Sequence, residues 1–280
     1  MKQTAVVIAP GRGTYNKNEL GYLKRHHSNA PNLDQFDAYR ATLGQKKISE
    51  LDTFSQFSGP THTRGDNAAP LIYACAYFDF VSIDRDLFDI VGITGNSMGW
   101  YIALACAGAL DPMGGMQVVN TMGKLMQDHM IGGQLIYPFL DDNWQEIPGR
   151  RDNLLSEVAT INARPDHDLG LSIDLGGMLV LAGNEAGLSA FERSVPALQG
   201  SFPMRLQNHA GFHTHLQRPI SKLGFDALSE QLFVQPTIPL IDGRGAIWYP
   251  NSTDISALYN YTLGHQVVEP YDFTAAIRTA

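Results

Sequence analysis

The sequence predicts an α/β protein with a mostly parallel sheet and a smaller α+β unit inserted into it. Three observations carry this expectation. Apolar runs of strand length, each closed by glycine or proline, recur along the chain, and segments of helical periodicity lie between them. The texture then changes to shorter strands and a polar loop across residues 132–200. With 280 residues, 44% of them hydrophobic and 17% charged, the chain can bury a core large enough to enclose a site.

In chain order, "TAVVIAPG" (residues 4–11) reads as a first buried strand, too weakly basic and too short for a signal segment. "APLIYACAYFDFV" (69–81) reads as a helix, and "DIVGITG" (89–95) as a second buried strand. The helix "MGWYIALACAGAL" (98–110) follows after a tight turn. "MQVVNTMGKLMQDHM" (116–130) sets Val118, Val119, Met122, Leu125 and Met126 along one helical face. A polar loop, "DDNWQEIPGRRDN" (141–153), precedes the strand "MLVLAG" (178–183). "NEAGLSAFERSVPAL" (184–198), with Asn184 as its N-cap, is the single strong helix expected in this stretch. The sheet resumes near Phe202, and "TIPLIDG" (237–243) is its last clear strand. Residues 1–131 and 201–280 would thus form the large unit and residues 132–200 the small one.

The composition excludes several functions. A net charge of −8 without a basic-aromatic tract argues against a nucleic-acid binder. The small basic clusters, Lys24 to His27, Lys46–Lys47 and Arg150–Arg151, read as solvated surface, with a docking patch for an acidic carrier as the functional alternative. No apolar run approaches the ~20 residues of a membrane span. Cys75 and Cys106 lack metal-ligand spacing, so a reduced cytoplasmic setting and no metal are expected. Gly11-Arg12-Gly13-Thr14 lacks the lysine of a nucleotide-binding loop.

The chemistry points to "GNSMG", residues 95–99. A serine between two glycines at a strand-to-helix turn can be thrust above the sheet edge, with the next amide, that of Met98, at a helix N-terminus where an oxyanion would be stabilised. Serine needs a base to become a nucleophile, and "LQNHAGFHTHLQRP" offers His209, His213 and His215.

Taken in order, "VVIAPGRGTY", "GNSMGWYIALACAGAL", "MGKLMQ", "MLVLAG", "AGFHTHL" and "HQVVEPYDF" resemble the malonyl-CoA:acyl-carrier-protein transacylases and the acyltransferase domains of polyketide synthases. The resemblance spans nearly the whole chain. It implies an α/β-hydrolase-like large subdomain, a ferredoxin-like small one, and acyl transfer through a serine ester. It implies Ser97 as nucleophile, His213 as base, Gln266 as the residue orienting the histidine, and the backbone amides of Arg12 and Met98 as oxyanion donors. Acyl-CoA is then the substrate, an acyl carrier protein the partner, and no cofactor is permanently bound.

Departures from the family pattern fall at expected pocket positions. Asn96 replaces a histidine, Trp100 a glutamate and Ala69 a glutamine, while Met122 takes the slot of the arginine that grips the malonyl carboxylate. An apolar Met122 predicts an uncharged acyl group, and Trp100, as a bulky apolar wall, a short one. Phe212 pulls the other way, since it matches a malonyl-associated pattern. Arg12 reads as a solvated loop arginine that would reach a carboxylate or a phosphate only by turning inward. The family also continues beyond "AAIRTA", so an oligomer or partner subunit covering that region is expected. An acyl hydrolase using the same serine and histidine is the alternative function, and a non-catalytic carrier-docking scaffold the third.

Overall fold

The computed structural model describes residues 2–280 as two sheets with their own cores. Strand β1 (Gln3–Ala9) runs parallel to β2 (Phe88–Gly95), in register from Gln3↔Phe88 to Ala9↔Gly95 with one shift between Ala5 and Val6. Four short helices lie between them: α1 (Tyr22–His26), α2 (Leu33–Thr42), α3 (Ile48–Asp52) and α4 (Gly59–His62). They are followed by the long α5 (Gly65–Val81). After β2 come α6 (Gly99–Cys106), every residue of which is buried, and α7 (Pro112–His129), capped by the Asp111 side chain accepting from the Gly114 amide. These apolar helices pack on one another and on β2, and their side chains form the main core.

The second sheet begins with β3 (Gly133–Pro138) and continues through α8 (Arg150–Asn162), β4 (Leu169–Asp174), β5 (Met178–Gly183), α9 (Glu185–Ser194) and β6 (Met204–Arg205). Its strand order, β6-β3-β5-β4, with antiparallel neighbours and two helices packed together on the strands, is the split βαβ arrangement of ferredoxin-like units. Leu135, Leu154, Ile161, Leu181 and Phe191 are among its core residues. Asn184 caps α9 as expected, its side chain accepting from the Gly187 amide.

The chain then returns through α10 (Arg218–Ala227) to β7 (Leu240–Ile241), parallel to β2, and β8 (Ile247–Trp248), antiparallel to β7. After α11 (Ile255–Asn260), a π-helical turn at Tyr261–His265 leads into α12 (Gln266–Val268). Strand β9 (Tyr271–Asp272) then adds to the second sheet, parallel to β4, before α13 (Phe273–Thr279). The C-terminal segment thereby ties the two sheets together.

Three features differ from the sequence reading. The inserted unit holds two helices, because α8 opens on the polar Arg150-Arg151-Asp152-Asn153 and its buried positions, Leu154, Val158 and Ile161, are sparse. Its sheet extends to Arg205, in a two-residue edge strand too short to show a period. Strand β1 is the edge of its sheet with Ile8 52% exposed, rather than a fully buried strand; an apolar run does not reveal whether a strand has one neighbour or two. Among the described residues, no helix is long and apolar enough to cross a membrane, and both cysteines are free.

Candidate active site

The turn between β2 and α6 sets the geometry. Ser97 sits at its apex with φ +56°, a left-handed conformation that a serine adopts only under constraint. The flanking glycines supply that constraint. A methyl group on Gly95 would lie 2.2 Å from the Gly99 carbonyl oxygen, and one on Gly99 would lie 2.4 Å from that of Ala9. Only bare backbone lets the strand end, the helix start and the end of β1 approach so closely.

His213 reaches this turn from the loop after β6. It too has positive φ, +58°, and its amide donates to the Val267 carbonyl at 3.1 Å. The ring nitrogen Nδ1 lies 2.7 Å from the backbone oxygen of Gln266, and Nε2 lies 2.7 Å from Ser97 Oγ. A carbonyl can only accept, so Nδ1 carries the proton and Nε2 presents its lone pair to the serine hydroxyl. Burial holds His213 down to about 4, against a smaller opposing effect of the Gln266 carbonyl, so the ring is neutral at neutral pH. A neutral imidazole with a fixed tautomer beside a serine hydroxyl can accept that hydroxyl's proton.

Gln266 acts through its side chain as well. Its Nε2 donates to the Ser97 carbonyl at 3.0 Å, and its Oε1 accepts from the Tyr101 hydroxyl at 3.0 Å. The loop before His213 is anchored to the second sheet, where Gln134 Nε2 donates to Ser172 Oγ at 2.7 Å and that hydroxyl donates to the Phe212 carbonyl at 2.8 Å. His209 Nδ1 donates to Gln134 Oε1 at 2.9 Å. Burial, with Arg12 adding to it, pushes His209 down to about 3.

Beside Ser97 opens a narrow cavity, walled by Arg12, Ala69, Met98, Phe212 and His213, with Val119, Gly123 and Met126 contributed by α7. Among the described residues, nothing accepts a hydrogen bond from the amides of Arg12 and Met98, which both border this space. Three residues expected on the cavity lie elsewhere. Met122 is fully buried with its sulfur turned onto Gly224 of α10, because it belongs to the core stripe of α7 rather than to its cavity side. Trp100 is likewise fully buried, donating from Nε1 to Thr262 Oγ1 at 3.0 Å and meeting Tyr261 edge-on. Asn96 packs against Gly11 and donates its backbone N–H to the Ala9 carbonyl at 3.2 Å, fastening the turn to the end of β1. Arg12, expected in solvent, instead turns inward.

No protein-family model matches the chain. Among curated proteins it is 22% identical, over 185 residues and 66% of its length, to the malonyl CoA-acyl carrier protein transacylase of Salmonella typhimurium, and it spans 56% of that relative. An acyl carrier protein S-malonyltransferase from Vibrio cholerae superposes with a TM-score of 0.75 at 18% identity, covering 99% of this chain and 85% of its own. The chain has the fold of the malonyl-CoA:acyl-carrier-protein transacylases. A malonyl-transacylase solved in complex with its type II polyketide-synthase acyl-carrier protein has the same transacylase fold, with a TM-score of 0.75 at 17% identity over 99% of this chain and 84% of its own. The resemblance read from six short segments therefore extends to the whole backbone.

Within the transacylase fold, Ser97, His213 and Gln266 come together from three separate parts of the chain. Tyr101, Gln134, Ser172 and His209 were not singled out as site residues, although all four join this hydrogen-bonded network. Their partners are distant in sequence, up to 165 residues away for Tyr101 and Gln266, and no local pattern carries such pairings.

Proposed function

We propose that this chain is an acyltransferase that moves an acyl group from coenzyme A to an acyl carrier protein through an ester on Ser97. The observation that carries this reading is the 2.7 Å contact between Ser97 Oγ and His213 Nε2, with the ring held by the Gln266 carbonyl on its other side. The acyl-carrier protein bound to a transacylase of the same fold supports the choice of acceptor.

In the first half-reaction His213 Nε2 takes the Ser97 proton as Oγ attacks the thioester carbonyl. The developing oxyanion is met by the amides of Met98 and Arg12, the first at the start of α6 where the helix dipole adds to the effect. As the tetrahedral species collapses, the carbon–sulfur bond breaks and the imidazolium returns its proton to the departing thiolate. In the second half-reaction His213 deprotonates the phosphopantetheine thiol of the carrier. The thiolate then attacks the ester, and the proton passes back to Ser97 Oγ. No carboxylate is needed, because a main-chain oxygen fixes the imidazole tautomer.

The expectation of an uncharged acyl group rested on Met122, whose side chain faces α10 instead of the cavity, so it places no constraint on the acyl chain. The cavity's narrowness does favour a short one.

Intact-protein mass after incubation with acetyl-, propionyl-, butyryl- and malonyl-CoA tests the proposal. An adduct should form on the wild-type protein, be absent from Ser97→Ala, and move to a holo acyl carrier protein when one is added. Steady release of free acid that depends on Ser97 would indicate a hydrolase. An adduct persisting on Ser97→Ala, or none with any thioester, would remove Ser97 from the chemistry.

A further inference from the structure

Arg12 stands in the loop that follows β1, on the wall of the cavity that holds Ser97. One of its Nη2 protons is donated to the Thr63 carbonyl at 2.9 Å, and the guanidinium lies over the Phe212 ring, 5.7 Å from its centre. No other protein acceptor among the described residues takes a hydrogen bond from it. Its Nε is buried with no acceptor. Among the described residues, no carboxylate lies within ion-pair distance of it. Asp66, the acid whose charge it feels most, is held at both oxygens by Arg64, at 3.0 and 2.9 Å. His209, which Arg12 also acts on, is neutral. Burial lowers Arg12 to about 10, so it remains a cation at neutral pH.

Arg12 is half-buried, with its Nε sealed from water; a cation so placed without a counter-charge is unfavourable, and an anionic ligand would supply the missing partner. The cavity wall contains no carboxylate that could do so, and Arg12 is its one cation among the described residues. We propose that the Arg12 side chain is the subsite for a carboxylate at the free end of the transferred acyl group. This assignment rests on the acyl-Ser97 reading above. The guanidinium is a planar fork that matches a carboxylate with two parallel hydrogen bonds. One residue would then address both ends of a short acyl group, its backbone amide the reacting carbonyl and its side chain the distal carboxylate. The cation that selects the substrate comes from the loop after β1, whereas α7 contributes only Val119, Gly123 and Met126 to the cavity.

The test compares initial rates of Ser97 adduct formation from malonyl and butyryl thioesters in the wild type, Arg12→Met and Arg12→Lys. Both N-acetylcysteamine thioesters, which carry no phosphate, and coenzyme A thioesters are used. The wild type should prefer malonyl with both carriers. Arg12→Met should lower the malonyl-to-butyryl ratio on the order of 100-fold, as expected when one partner of a buried charge pair is truncated. Arg12→Lys, which keeps the charge without the fork, should fall between. An unchanged ratio overturns the proposal, and so does a preference seen only with coenzyme A, which would assign the guanidinium to a phosphate. Butyryl labelling with no malonyl labelling overturns it while leaving Ser97 as nucleophile. No labelling from any thioester ends both readings. A second measurement does not require acylation: malonate should raise the melting temperature of Ser97→Ala, and this rise should vanish in Ser97→Ala/Arg12→Met.

Discussion

Replacing Gln266 by methionine separates what its side chain does from what its backbone does. The carbonyl that fixes His213 survives the change, since it belongs to the main chain. Two other bonds are lost: the Tyr101 hydroxyl is left without a partner, whereas the Ser97 carbonyl still accepts from the Trp100 amide at 3.0 Å. Tyr101 is 3% exposed and Gln266 2%, so water does not replace them. A buried polar group left unsatisfied costs ~1–3 kcal/mol, so the stranded Tyr101 hydroxyl should destabilise the protein by about that much. Urea unfolding followed by tryptophan fluorescence reads that loss. The decisive arm is a double-mutant cycle with Tyr101→Phe. In the wild-type background, removing the hydroxyl strands the Gln266 oxygen and is destabilising. In the Gln266→Met background it removes an orphaned donor, and should restore roughly 1–3 kcal/mol. Acylation of Ser97 by a thioester should survive Gln266→Met at a reduced rate, because the imidazole keeps its orienting acceptor. If Tyr101→Phe has the same cost in both backgrounds, the hydroxyl and Gln266 are not coupled and the network described for this site is wrong.

Two further outcomes follow from the same geometry. His213 and His209 are held by burial at about 4 and about 3, below the ~6.5 of a solvated histidine, so as pH falls from about 6.5 towards 4 the unfolded chain takes up protons that the native one refuses. Stability should be fully present above pH 6.5 and decline through that window, and the acid limb of the Ser97 acylation rate should lie near pH 4; urea midpoints that stay flat from pH 7.5 to 4.5, or a rate that halves near 6.5, would contradict this. Gly99→Ala places a methyl group 2.4 Å from the Ala9 carbonyl, where main chain must move to admit it, so a loss of ~3 kcal/mol or more and collapse of Ser97 labelling are expected from unfolding and mass measurements.

Much of this was legible in the sequence because it depends on neighbours in the chain. The glycines at 95 and 99 mark the turn that lifts Ser97, Asn184 marks the start of α9, and glycine-bounded apolar runs mark β1, β2, β5 and β7. Such features report local backbone sterics, caps and periods of 2 or 3.6 residues, which a short window contains. The order of the six matching segments added the identity of the fold, and with it the partnership of Ser97, His213 and Gln266.

Only the tertiary structure decided which way side chains face and what they meet. Met122 and Val119 lie on the same helix and both read as apolar, yet Val119 lines the cavity and Met122 packs onto α10. Trp100 follows the Ser97 turn in sequence but is drawn into the core by Thr262, 162 residues away. Arg12 has the composition of a solvated loop residue, and it is half-buried because Thr63 and Phe212, from two other segments, close around it. Direction on a helix face and burial of a polar group are set by contacts between elements remote in the chain. The sequence thus determined the fold and the turn that presents Ser97, whereas the charge of the cavity beside that serine was decided by long-range packing.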